Sequence, residues 1–146
     1  MCGENMIKER IKKKLISASL AIAITIGLPM ALPIAVSQEL EPFESNHITE
    51  SQWQTYYYEV ENLHRDSVRH VRLQHLVIFK DRETTTTWTF TQLGHPAHPS
   101  WIARRLIVNG DDTSIRQVGY FAGEDAPFIA FFQEQLALNK TISQNF

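Results

Sequence analysis

Two histidines three residues apart, each followed directly by proline, stand in the stretch GHPAHP, Gly94 to Pro99. Proline fixes its own φ and pushes the residue before it away from helical geometry, so His95 and His98 are both biased to extended or polyproline conformations. In a polyproline helix with three residues per turn the two imidazoles point the same way. That spacing allows a preorganised pair of nitrogen ligands, His95 and His98, for zinc or copper. A zinc site normally takes at least three protein ligands, and His75, His70 and Asp111 are the residues of suitable type to complete it. No spacing forces any of them near. The competing reading is a stiff turn whose histidines bond to backbone or water.

Other chemistry has less to stand on. Ser100 beside His98, with Asp111 or Asp112, can be written as a nucleophile, base and acid, but a triad is defined by geometry and such triples arise by chance in most domains. Glu59 with Glu61, and Asp111 with Asp112, read as solvated charges rather than acid/base pairs. The chain has no G-x-S-x-G elbow, no H-E-x-x-H and no phosphate-cradling glycine loop. A binding loop fits better than an active site. It comprises Gly94, His95, Pro96, His98 and Pro99, with Arg104 and Arg105 close behind to hold an acidic partner group in a guanidinium fork. The alternative for either arginine is to snorkel from a sheet.

The elements that position the loop follow from hydrophobic period. Thr49 and Gln52 have capping-box spacing, and Trp53, Tyr56, Tyr57, Val60 and Leu63 then recur at helical intervals as one apolar stripe. After RDS the period becomes two. Val71, Leu73, His75, Val77 and Phe79 alternate along a half-buried strand. KDRE makes a turn, and TTTTWTFTQ gives a second strand with Trp88 and Phe90 inward and Thr85, Thr87, Thr89 and Thr91 on a solvated side. A second hairpin runs from Trp101 to Val108 and from Ile115 to Ala122, turning at Asn109-Gly110 and the two aspartates. Its first arm also fits a short helix begun by Ser100, but two β-branched residues before the turn favour a strand. Asp125 and Pro127 suit the start of a last helix, with Phe128, Phe131, Phe132 and Leu136 as its buried stripe. The expected fold is α+β: an N-terminal helix, a four-stranded antiparallel meander and a C-terminal helix, the helices packed on one sheet face.

Residues 1–37 read as an address rather than as fold. A basic stretch from Lys8 to Lys14 precedes a long apolar run, and Ala35 and Ser37 put small residues where signal peptidase reads. Met1 and Met6 are both possible starts. A retained anchor competes with this reading, since the run approaches the ~20 residues that span a bilayer, but Pro29 and Pro33 and the small-residue exit favour cleavage after Ser37. Cys2, the only cysteine, lies ahead of the basic stretch. The exported chain therefore takes nothing from disulfides.

Cleavage removes five of the 14 basic and two of the 16 acidic residues and leaves a net charge of −5. That balance argues against nucleic acid, whose phosphates call for clustered lysine and arginine. Residues 38–48 are acidic and aperiodic and read as a flexible leader, ahead of a single domain over 49–146.

Two stretches, FTQLGHPAHPSWIARRLIV and VGYFAGEDAPFIAFFQEQL, resemble small exported proteobacterial proteins of unknown function. Those proteins carry a G-H-P-A-H-P loop, a G-x-[YF]-A-G strand end and an aromatic C-terminal helix. The resemblance covers roughly residues 88–136, and Leu93 stands where such proteins often have proline. It implies an exported domain, periplasmic or secreted, with a special loop, and names no reaction. The sequence reading is a small cell-envelope protein, a non-catalytic binding or interaction module. Its partner is an envelope protein or a small ligand, not nucleic acid and not a membrane once the leader is removed. A metal-binding protein through His95 and His98 is the alternative, and a small hydrolase a lesser one. An exposed sheet edge that accepts a partner strand is a further route to binding.

Overall fold

Alternation along four neighbouring strands sorts their side chains into two apolar layers, and each layer has its own helix. The computed structural model describes residues 39–143; the expected signal segment, 1–37, lies outside the described residues. Helix α1, Glu50–His64, is followed by strands β1 (Arg69–Val71), β2 (Leu76–Asp81), β3 (Thr86–Thr91), β4 (Ser100–Asn109) and β5 (Asp112–Phe121), and then by helix α2, Asp125–Ser143. All five strands form one antiparallel sheet in the order of the chain. The α+β class and the antiparallel meander are as expected, with five strands in place of four.

The extra strand arises where one long strand was expected from Val71. A 3-10 turn over Arg72–Gln74 and a left-handed His75 (φ +52°) fold the chain back, so that Val71 pairs with Leu76. Leu73, expected on the inward face, is 97% exposed at the tip of that turn. Trp101 to Val108 is strand, not helix. Its turn pairs Asn109 with Asp112, which puts Gly110 (φ +63°) at the first of two central positions, where glycine meets no steric cost.

Helix α1 begins with the expected capping box: the Gln52 amide N–H donates to the Thr49 hydroxyl at 3.1 Å and the Thr49 N–H to the Gln52 side chain at 2.9 Å. Tyr56 and Val60 bury against Val77, Phe79, Trp88, Phe90, Trp101 and Tyr120, with Trp53 and Tyr57 at the margin. Leu63 is exposed, and His64 takes the end of the stripe by stacking on Trp88 at 4.8 Å. On the opposite pleat Leu76, Ile102 and Phe121 meet Phe128 and Phe131 of α2. The helices therefore cover opposite faces of the sheet rather than one. This also buries Thr89 and Thr91, which were expected on a solvated side.

Residues 39–48, read as a flexible leader, make specific contacts instead. Leu40 and Ile48 are buried in the α1 layer. The Ile48 N–H donates to the Phe121 carbonyl and the Phe121 N–H to the Asn46 carbonyl, both at 2.9 Å. The Tyr56 and Tyr120 hydroxyls donate to the carbonyls of Glu39 and Phe43. Apolar anchors at Leu40, Phe43 and Ile48, spaced among acids, tie this segment to the edge of β5. Among the described residues no helix is long and apolar enough to cross a membrane.

Candidate functional site

The histidine-proline segment joins β3 to β4 as two consecutive turns, not as a polyproline helix. The His95 N–H donates to the Gln92 carbonyl and the His98 N–H to the His95 carbonyl, both at 3.0 Å. In the first turn Leu93 and Gly94 are central, and Gly94 has φ +99°. A Cβ there would fall 2.9 Å from the His75 ring, so glycine is required twice over, by backbone and by contact. Pro96 sits second in the next turn, where its fixed φ is favourable. The His98–Pro99 peptide is cis.

These turns send the two imidazoles to different helices. His95 sits edge-on to Phe131 of α2, with ring centroids 4.8 Å apart, and His98 edge-on to Trp53 of α1 at 5.1 Å. Because α1 and α2 cover opposite faces, the common direction expected from a polyproline helix does not hold. The ring nitrogens are also committed differently. Nδ1 of His95 accepts the Ala97 N–H at 3.0 Å, which leaves the proton of the neutral ring on Nε2. Nδ1 of His98 lies 3.0 Å from the Thr91 carbonyl, which can only accept, so that proton sits on Nδ1. A metal at His95 Nε2 would need the Nδ1 tautomer and would break the Ala97 bond. Among the described residues no three His, Cys, Asp or Glu side chains gather to hold a metal ion.

The same segment fixes the sheet end to both neighbours. The Thr91 hydroxyl accepts the Ser100 N–H and donates to the Ser100 carbonyl, each at 2.9 Å. That carbonyl also accepts the Trp53 indole N–H at 3.1 Å. Ala97 is buried in the α2 layer, and the Ala122 N–H donates to the Pro99 carbonyl. Ser100 is fully buried with its hydroxyl 3.4 Å from that of Thr91. Asp111 and Asp112 lie at the other end of β4, roughly 30 Å away at 3.3 Å per residue. Ser100 and His98 therefore do not meet either aspartate as nucleophile, base and acid.

Arg104 and Arg105 do not flank the loop as expected; they lie midway along β4 and, as neighbours on a strand, on opposite faces. Arg105 Nε donates to the Thr86 hydroxyl at 2.8 Å on the α1 side. Arg104 points to the α2 side, where burial pulls its guanidinium below the ordinary arginine value.

Two residues outside the candidate site read from the sequence stand out at the loop end of the sheet. Leu93 is 82% exposed and Leu73 is 97% exposed, each at the tip of its turn. The turns are locked together, since the Gln92 N–H donates to the His75 carbonyl at 2.7 Å and the His75 ring lies over Gly94. A leucine beside a glycine between two strand signals was the available cue at Leu93. Comparison with family models, curated proteins and solved structures finds no match for this chain.

Burial holds the His95 imidazole below its ordinary value, the His75 and His98 rings add to that, and Glu134 opposes it. The folded state therefore takes up this proton less readily than the unfolded chain. Its contribution to stability is complete above the ordinary imidazole value of about 6.5 and is lost as pH falls through the lowered folded value. Thermal melts between about pH 5 and 8 are expected to show a decline on the acid side that His95→Gln flattens. Equal slopes in both proteins would remove His95 as the cause.

Proposed function

We propose that the chain is a small exported cell-envelope module that binds a protein partner through the loop end of its sheet and catalyses no reaction of its own. The observation that carries this reading is the near-complete exposure of Leu73 and Leu93 on two interlocked turns. A leucine is not needed for either turn. Leu93 occupies the second turn position, where proline would suit the backbone as well. Apolar groups already fixed in place lose little conformational entropy on docking, which favours recognition by a complementary apolar patch. In this reading the histidines of the loop are its fasteners and the leucines its contact points. The resemblance over residues 88–136 to small exported proteobacterial proteins supports the envelope setting, as does the basic and apolar pattern of residues 1–37.

A photo-crosslinking residue placed at position 93 in cells tests it, with position 109 at the opposite end of β4 as the control. A discrete protein adduct in the envelope fraction is expected from position 93, weakened by Leu73→Ser, and absent from position 109. Equal adducts from both positions, labelling of lipid alone, or no adduct from position 93 would contradict the reading.

A further inference from the structure

The α2 face of the sheet is closed near the loop by Phe128 and Phe131, but beneath the last turns of the helix it opens into a cavity of about 380 Å³. That volume lies within the range of small-molecule sites, roughly 300–1,000 Å³. Three cations, Arg69, Lys80 and Arg104, line it, and among the described residues no carboxylate does. The chain as a whole is net acidic, at −2, so the concentration of positive charge is local.

Strand register arranges these charges. Lys80 pairs with Thr87, and Thr87 with Arg104, so all three point the same way in one row across β2, β3 and β4. At about 4.8 Å between neighbouring strands, the Cα atoms of Lys80 and Arg104 stand roughly 10 Å apart with a hydroxyl between them. An anionic group fits that gap, with an ammonium on one side and a guanidinium on the other. Arg69 approaches from the next row, beside Ile78. Arg104 is aimed by α2: its Nη1 lies 3.4 Å from the Asn139 side-chain oxygen, the Asn139 amide donates to Gln117 at 2.7 Å, and Gln117 donates to the Phe132 carbonyl at 3.1 Å. Buried Asn139 thus acts as a positioning residue.

Apart from Thr85, the remaining wall is apolar. Leu106 and Ile115 pair across β4 and β5, and Ile142 of α2 lies opposite them. We infer that the cavity binds an amphipathic anion, a carboxylate head on an unbranched apolar chain, with the head between Lys80 and Arg104 over Thr87 and the chain along Leu106, Ile115 and Ile142. A bare anion would leave that apolar wall uncovered, and a neutral chain would leave a half-buried arginine without a counter-charge. The site occupies the half of the sheet away from the histidine-proline loop, so its test stands apart from that of the loop end.

Calorimetric titration of the protein with decanoate, below its micelle-forming concentration, provides the test, with decanol and acetate as the chain-only and head-only probes. One-to-one saturable binding of decanoate is expected, with both other probes weaker by about tenfold or more. Arg104→Gln and Lys80→Gln should each weaken decanoate by about tenfold, while Arg105→Gln, on the opposite face, should not. Lys80 is solvent-exposed, so its variant keeps the test intact if Arg104→Gln fails to fold. Decanol binding as tightly as decanoate, decanoate binding indifferent to Lys80→Gln, or no saturable binding would overturn the assignment.

Discussion

Trp101→Ala is expected to lower the stability of the domain by about 3–5 kcal/mol, the usual range for emptying a buried tryptophan site. Trp101 is fully buried and lies between two tyrosines, stacked on Tyr56 at 4.4 Å and on Tyr120 at 4.6 Å. These three rings join α1, β4 and β5, and Tyr56 also receives the Trp88 indole N–H at 3.1 Å. The Trp101 indole nitrogen has no hydrogen-bond partner, so its removal orphans no other group. The whole loss comes from apolar transfer and from the cavity left between rings that cannot close on each other. Domains of this size hold only about 5–15 kcal/mol. Urea unfolding should show the midpoint fall sharply, and an unchanged midpoint would mean that the ring stack does not hold the α1 layer.

Gly119→Val is the second, and its sign separates two effects. By strand propensity alone valine should stabilise, since glycine in a strand interior costs roughly 0.5–1 kcal/mol relative to alanine. Packing opposes this. A Cβ at Gly119 would lie 2.9 Å from both Phe128 and Phe132, and Phe128 is itself stacked on Phe121 at 4.4 Å. The aromatic stripe of α2 rests on the bare backbone of β5, and a branched side chain must push the helix away. A net loss of about 1–3 kcal/mol is expected, as for other overpacked cores. A thermal melt at or above that of the native protein would show that α2 is not seated on Gly119.

Local chemistry was legible where one or two neighbouring residues decide it. The Thr49 and Gln52 capping box, the Gly110 turn and the phenylalanines of the α2 stripe each depend on short spacings and appear as expected, whereas Leu136, expected in that stripe, is only half-buried and Gln135 and Asn139 are buried further along the helix. The turn before β2 was not legible, because RLQH contains no glycine, proline, asparagine or aspartate, and the left-handed position falls on His75. Histidine adopts that geometry more often than most residues but does not announce it. The burial of Thr89 and Thr91 was hidden for a different reason: threonine suits a solvated pleat equally well, and only the placement of α2 on the second face decides. That choice also determined the loop. His95 and His98 have polyproline spacing, yet Gly94 and Pro96 start separate turns, and Phe131 and Trp53 on opposite sides draw the rings apart. The cavity around Arg104 depends on register across all five strands, and β4 alone does not carry that information.

We propose, as the central reading, that the histidine-proline loop acts as a fastener with fixed proton positions rather than as a coordination site. Long-range ¹⁵N–¹H spectra of the imidazoles, recorded at about pH 8, above the ordinary value of about 6.5, with and without an equivalent of zinc, test it most directly. His95 is expected as the Nε2–H tautomer and His98 as the Nδ1–H tautomer, as their bonds to the Ala97 N–H and the Thr91 carbonyl require, and zinc should change neither. Stoichiometric zinc that shifts both rings together and moves the His95 proton to Nδ1 would contradict the account and make the loop a metal site.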